Sequence, residues 1–372
     1  MPWTWQLKDW PNFRWRNGLL EQEERRFAEG VSVTIGSLRH LPASERDNLA
    51  IALLERDALG TSAIEGELLD RDSVQSSLRK HLGLAEALPP SARRSPREYG
   101  VAELMADLYQ APGAALTPER LFTWHRMLMH DRRDLATVEQ YRQHAAPMQI
   151  VSCQIGDERV HYEAPPSARV PAEMAALLGW FARTAPGQPN ALPAITRAAI
   201  AHLWFECIHP FEDGNGRIGR AIAEMALAQA TGTPSFTGMS AVLNRQRKSY
   251  YEQLRRHSVR LDIDAWLQWF AQQALQAQAE ADELVRFLID KAALMTRLSG
   301  QLNPRQEKAL LRLLREGPQG FAGGLSAGNY ARITGAPPAT VTRDLADLVN
   351  KGALRRTGER KGARYWLVIA GK

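Results

Sequence analysis

The sequence predicts an all-α protein that carries one small β-hairpin in its body and a second hairpin near its C-terminal end. Helical stretches with capping residues alternate with short loops along most of the chain. Extended segments about a turn occur at only two places, 149–162 and 354–368. The 372 residues suit two or three domains, and a hydrophobic content of 44% is ample for packed cores.

Composition narrows the class. No apolar run approaches the roughly 18 residues of a membrane span. Residues 1–5 lack the basic stretch and apolar run of a signal peptide, so no membrane partner is expected. Cys153 and Cys207 are the only cysteines and neither has metal-ligand spacing, which fits a reducing cytoplasm. The net charge of +6 is unevenly placed: residues 299–372 hold 13 Lys and Arg against 5 Asp and Glu, so the basic character belongs to the tail.

Residues 1–95 read as a helical region. Trp3, Trp5, Trp10, Phe13 and Trp15 are too irregularly spaced for one amphipathic helix and too aromatic for water, so they are expected to anchor the N-terminus by packing. Helices follow over 19–41 and 44–60, the second with Ser44 as N-cap and Asp47 at its third position. Thr61 to Glu67 reads as a short helical piece stopped by Gly66, and 72–82 as one more helix. The stretch 84–96, rich in Ala and Pro with an Arg93-Arg94 pair, reads as a connector and a boundary.

Residues 96–290 read as an all-α bundle with helices over 97–110, 117–130, 171–184, 191–208, 217–230, 245–257 and 263–290. The hairpin at 149–162, about a Gly-Asp turn, is the exception. Residues 300–372 give helices over 304–315, 326–333 and 338–351 and then a basic hairpin, the pattern of a winged helix-turn-helix. Its third helix would expose Thr340, Thr342 and Arg343, and its wing Arg360, Lys361 and Arg364. Two readings stand: a footprint for DNA phosphates, or a protein-docking or dimerisation module with a solvated basic face.

The chemistry concentrates in His209-Pro210-Phe211-Glu212-Asp213-Gly214-Asn215-Gly216-Arg217-Ile218-Gly219-Arg220, the turn between two helices. Gly214 and Gly216 let main-chain N–H groups approach a ligand at a helix N-terminus whose dipole favours anions. Arg217 and Arg220, three apart, project from one helical face and can hold separate phosphates. Asp213 offers a hard oxygen for Mg²⁺ bridging those phosphates. His209 suits a general base near neutral pH.

This string resembles the Fic motif, H-P-F-x-[D/E]-G-N-G-R-x-x-R, at every fixed position. The resemblance implies a helical Fic bundle over 96–290 that transfers AMP from ATP, with Mg²⁺, to a hydroxyl of a target protein. It implies His209 as catalytic base, Asp213 as metal ligand, Glu212, Gly214, Asn215, Gly216, Arg217 and Arg220 as nucleotide ligands, and Phe211 as a packing anchor. The hairpin corresponds to the flap that Fic proteins lay over the site to pair with a target segment; a plain surface hairpin is the other reading. Tyr250 and Tyr251 lie on a segment similar to the family helix that lines the nucleoside pocket, where each either contacts the nucleoside or is an ordinary half-buried aromatic. His125 and His161 are given no role. Thr61, Glu65 and Gly66 resemble the family's inhibitory signature [S/T]-x-x-x-E-[G/N], which implies an N-terminal inhibitory helix whose Glu65 pairs with Arg220. Fic proteins are often dimers, and a homodimer is expected on that ground. Removal of AMP by the same site, and a nucleotide-sensing DNA-binding regulator, are the alternatives.

Overall fold

The structure, a computed structural model, describes residues 2–39, 41–84, 95–154, 157–233, 237–318, 320, 321 and 323–369. These residues form two compact units, one of residues 1–35 with 50–281 and one of 36–49 with 282–372. Among the described residues the chain is predominantly helical, as the sequence predicts, with two separate two-stranded antiparallel sheets. No helix among them is long and apolar enough to cross a membrane.

The first unit is built around α7 (Ala194–Ile208) and α8 (Asn215–Thr231). Thirteen of the fifteen residues of α7 are buried, Thr196, Arg197 and His202 among them, so it is covered on every side rather than amphipathic. No side chain of its own caps its N-terminus. Instead Glu24, on α1 (Glu21–Arg39), accepts from Ile195 N at 3.0 Å and Thr196 N at 2.7 Å. That satisfies orphan donors and places a carboxylate at the positive end of the helix dipole. Around the pair lie α3 (Arg71–His81), α4 (Pro96–Gln110), α5 (Pro118–Leu128), α6 (Val170–Arg183), α9 (Met239–Arg245) and α10 (Arg247–His257), with the later part of α2 (Ala43–Ile64) and the first part of α11 (Asp264–Arg297). The caps are local and legible: Asp70 accepts from Ser73 N, Ser95 from Arg97 N, and Thr117 from Arg120 N.

The N-terminal aromatics pack on this body. Trp10 and Phe13 meet Trp204 edge-on at 6.2 and 6.1 Å, and Trp5 Nε1 donates to the Glu163 carbonyl at 2.8 Å. Strands β1 (Gln149–Gln154) and β2 (Asp157–Glu163) pair antiparallel with a register shift between Ile150 and Val151. Gly156, of the predicted turn, lies outside the described residues, as does most of the predicted connector at 84–96.

Several helices depart from the sequence reading, α11 for instance running to Arg297 rather than 290. Helix α2 begins at Ala43, with Glu45 N and Arg46 N bonding the Pro42 carbonyl, so Ser44 lies inside it rather than capping it. The same helix continues past Gly60 to Ile64. Gly60 is a close-packing position, because a Cβ there would lie 2.6 Å from Ala241 N. Helix α9 has no counterpart in the sequence reading, since seven residues give too short a window for a periodic signal.

The second unit contains α12 (Pro304–Leu314), α13 (Ala327–Thr334), α14 (Pro338–Asn350) and the hairpin β3 (Leu354–Thr357) with β4 (Arg364–Leu367). Leu310, Leu313, Tyr330, Val341, Leu345 and Leu348 fill its core. Buried Asp344 accepts from Asn303, Arg305 and Tyr330, tying three helices together around one carboxylate.

Candidate active site

The turn between α7 and α8 is set by backbone geometry. His209 ends α7 in the left-handed region (φ 50°), and Gly214 precedes α8 at φ 79°. The positive φ favours glycine at 214, where a Cβ would also lie 2.8 Å from the movable Met129 Cε. Phe211 is fully buried and stacks on His125 with ring centroids 4.3 Å apart. The Asn215 amide accepts from Phe211 N at 2.9 Å and donates to Phe211 O at 2.8 Å, closing the loop on itself.

Arg142 holds the turn from outside. It is almost wholly buried, and its guanidinium donates to the carbonyls of His209 and Pro165 and to Ser167 Oγ, while its own N–H bonds the Pro210 carbonyl. A cation thus covers the negative end of α7. Burial pulls its pKa down to about 10.

His209 is 13% exposed by its side chain, and its pKa is pushed down to about 4, first by burial and then by Arg142. It is therefore neutral near pH 7 and can accept a proton. Its Nδ1 makes no hydrogen bond among the described residues and lies 3.9 Å from the Glu206 carboxyl. Burial lifts the Glu206 pKa to about 8.

On α8, Arg217 and Arg220 are 5% and 2% exposed. Arg220 donates to Thr61 Oγ1 at 2.8 Å, the Thr61 carbonyl at 3.1 Å and Glu65 Oε1 at 2.6 Å. Burial works against its charge, but Glu65, Tyr250 and Glu206 outweigh it and raise its pKa. Arg217 donates to Glu67 Oε2 at 2.9 Å and to Asp213 Oδ1 at 3.4 Å. Both motif arginines therefore face carboxylates from the segment just beyond α2. Gly66, at φ 86°, turns the chain between those carboxylates. Gly216 leaves room for them, since a Cβ there would lie 2.3 Å from Glu65 Oε1.

Two donors nonetheless remain buried without a hydrogen bond among the described residues, Arg217 Nε and Arg220 Nη1. Buried cationic donors without acceptors suit an anionic ligand. Asp213 also has a held carboxylate, taken by Arg132, Arg217 and Gly214 N; these outweigh burial and keep its pKa low. Glu212 accepts from Ala136 N at 2.9 Å and Thr137 Oγ1 at 2.7 Å, binding the preceding loop to the turn.

The two tyrosines separate. Tyr250 is buried, its hydroxyl 2.8 Å from His202 Nε2 and its ring against Trp269, whereas Tyr251 is 41% exposed and bonds the Ile64 carbonyl. Tyr251 is the more exposed of the two. His125 is buried with its Nδ1 accepting from Glu139 N, a packing residue beneath Phe211. Sequence reasoning missed Arg142, Arg132, Glu67 and Glu206. Only Glu206 had a local signal, a lone carboxylate in an otherwise apolar helix.

Comparison with known proteins falls on the same residues. A model described as "Fic/DOC family" matches residues 115–227, spanning the turn and most of α8. Residues 115–227 thus match a Fic domain. A second model, described as a domain of unknown function (DUF4172), matches residues 3–84. A probable protein adenylyltransferase of Aquifex aeolicus (strain VF5) is 30% identical over 94 residues, which are 25% of this chain and 26% of that protein. The chain thus matches about a quarter of that relative's length. Among solved structures, a Fic family protein from Desulfovibrio desulfuricans G20 superposes with a TM-score of 0.55 at 21% identity, covering 97% of this chain and 98% of that one. A Fic domain containing signaling protein from Bacteroides thetaiotaomicron VPI-5482 gives 0.51 at 16% identity, covering 72% and 97%. At these identities the structural likeness speaks to the fold.

Proposed function

We propose that this chain is a protein adenylyltransferase that moves AMP from ATP to a Ser, Thr or Tyr hydroxyl of a target protein, restrained at rest by Glu65. The observation that carries the reading is a neutral buried imidazole beside two buried arginines with orphan donors, all on one turn. The Aquifex relative's name points the same way.

In this reading His209 takes the proton of the target hydroxyl, whose oxygen attacks the α-phosphorus. The bond to the β-phosphate oxygen breaks and pyrophosphate leaves. Arg217 and Arg220 hold the β- and γ-phosphates, and the main-chain N–H groups of Gly214, Asn215 and Gly216 face the phosphate chain. The Asn215 amide keeps the loop shaped for this, and Glu212 ties it to the loop before it. Tyr251, on its open face, lines the nucleoside. Asp213 is a lone carboxylate, and no cluster of three or more His, Cys, Asp or Glu among the described residues could hold a metal. That donor set fits Mg²⁺ shared with nucleotide phosphates, where the ion would neutralise phosphate charge. Glu65 occupies Arg220, seated by Thr61 and Gly66, and Glu67 occupies Arg217, so the resting site repels the anion it is built to bind.

The test is incubation with α-³²P-ATP and Mg²⁺ of the parent, Glu65→Gly and Glu65→Gly/His209→Ala, alone and with cell lysate. Label on protein in the single variant, lost in the double, is expected. No label, with release of AMP from protein already modified, would assign the site to the reverse reaction.

We also propose that residues 300–372 form a winged helix-turn-helix that meets DNA phosphates. Thr342 and Arg343 on α14 and Arg355, Arg356 and Arg360 around the hairpin are all exposed. Fluorescence anisotropy with duplex DNA across a salt series tests it; affinity with no salt slope would refute a phosphate footprint.

A further inference from the structure

Glu206 is a carboxylic acid with no task in the reaction as drawn. It lies in the last turn of α7, three residues before His209, with its side chain about nine-tenths buried. Its Oε1 makes no hydrogen bond among the described residues. The side chain packs against Gly219, where a Cβ would lie 2.5 Å from Oε1. Its Oε2 lies 3.9 Å from His209 Nδ1. His209 Nδ1, buried without a hydrogen bond among the described residues, thus faces the Glu206 carboxyl with just over 1 Å to close. Catalytic contacts in ligand-free sites are commonly this loose and tighten when substrate binds.

We propose that the Glu206 side chain is the positioning partner of His209, accepting its Nδ1–H so that Nε2 is left unprotonated toward the target hydroxyl. The inference rests on His209 acting as the base. A neutral imidazole has one N–H, and the acceptor that takes it decides which nitrogen is basic. When Nε2 takes the hydroxyl proton the ring becomes an imidazolium, with Nδ1–H still directed at the Glu206 oxygen. No further proton transfer is needed for the step to balance.

Other groups act on this pair. Glu65 and Asp213 favour a charged His209, whereas burial and Arg142 oppose it. Arg220 favours an ionised Glu206, whereas burial and Glu65 oppose it. The main-chain carbonyl of Glu206 is the rival acceptor for His209. Substitution of the side chain leaves that carbonyl in place, so the two acceptors can be told apart.

The experiment uses the full chain labelled with ¹⁵N-histidine. Long-range ¹H–¹⁵N spectra at pH 7 report which nitrogen of His209 carries the proton, with His209→Gln supplying the assignment. The parent and Glu206→Gln should show the Nδ1–H form, because glutamine keeps the accepting oxygen. Glu206→Ala should shift His209 toward the Nε2–H form. In the Glu65→Gly background, Glu206→Ala should lower kcat for AMP transfer about 10²-fold with KM for ATP nearly unchanged, and Glu206→Gln should recover most of that loss. An unchanged tautomer in a folded Glu206→Ala protein would assign the Nδ1–H to the main-chain carbonyl and overturn the proposal. A shifted tautomer in a protein that transfers no AMP would uphold the pairing and refute the transferase reading instead.

Discussion

Glu67 offers the sharpest test of how the resting site is closed. Its carboxylate pairs with Arg217 at 2.9 Å, with the Arg217 side chain 6% exposed and that of Glu67 22%. A phosphate that takes Arg217 Nη1 must first displace it. A hydrogen bond to a charged group is worth about 1.5–3 kcal/mol. Glutamine would keep a neutral hydrogen bond worth about 1 kcal/mol, and the partial exposure of Glu67 weakens the pair further. Glu67→Gln should therefore remove about 1–2 kcal/mol of competition, which is roughly a 5- to 30-fold gain in ATP affinity. Titration calorimetry of ATP with Mg²⁺ against the parent, Glu67→Gln, Glu65→Gly and the double variant measures it. The two carboxylates sit one residue apart beyond the same helix, so their effects should not add, because releasing one loosens the segment that carries the other. An affinity equal to the parent in Glu67→Gln, with a gain in Glu65→Gly, would refute competition at Arg217 and leave Arg220 as the sole point of restraint.

Two further expectations follow from the same geometry. Gly60→Ala places a Cβ against the main chain of Ser240 and Ala241 at 2.6–2.8 Å, which cannot move aside as a side chain can. It should cost about 1–3 kcal/mol by overpacking and push the end of α2 off its seat, raising ATP affinity while lowering Tm; a lower Tm with unchanged affinity would show that the seat of α2 does not govern the brake. Stability should also peak at about pH 6–7. Burial holds His125, His202 and His209 at about 4, 3 and 4, below the ordinary 6.5, so the stability they contribute is whole above that value and lost as pH falls toward 4. Glu206, raised to about 8 by burial, has the opposite sign: its contribution is whole below the ordinary 4.5 and lost as pH rises through 8. Urea midpoints at constant ionic strength should fall on both sides of the peak, the alkaline fall shrinking in Glu206→Gln; a midpoint flat from about pH 5 to 8 would refute the assignment.

Much of the fold was legible because its signals are local. Thr117 as a cap, the glycines of the turn and the Thr61–Gly66 string each depend on neighbours within a few residues. What stayed hidden is long-range pairing. Arg142 reads as any loop arginine until the α7 carbonyls are seen to converge on it, 66 and 67 residues away. Glu24 likewise caps a helix 171 residues further along. Periodicity also misled at Gly60, where a glycine that looks like a stop is a contact. The motif marks the candidate site residues, whereas the shape of their site comes from residues whose partners lie tens to hundreds of positions away.

The buried polar groups follow from that difference. A site that holds a polyphosphate must keep cations desolvated enough to bind strongly, yet a desolvated cation without a partner is costly. Here the cost is met at rest by carboxylates on the α2 segment: Glu65 for Arg220 and Glu67 for Arg217. On the proposed reading these pairs serve folding as well as restraint, because they neutralise the arginines while no nucleotide is present. On this argument Glu65→Gly leaves Arg220 with only the neutral oxygens of Thr61. The variant should be less stable than the parent without nucleotide and should recover more stability than the parent when ATP is added. Thermal unfolding of both proteins with and without ATP measures this, and equal ATP-induced shifts would separate the brake from the fold.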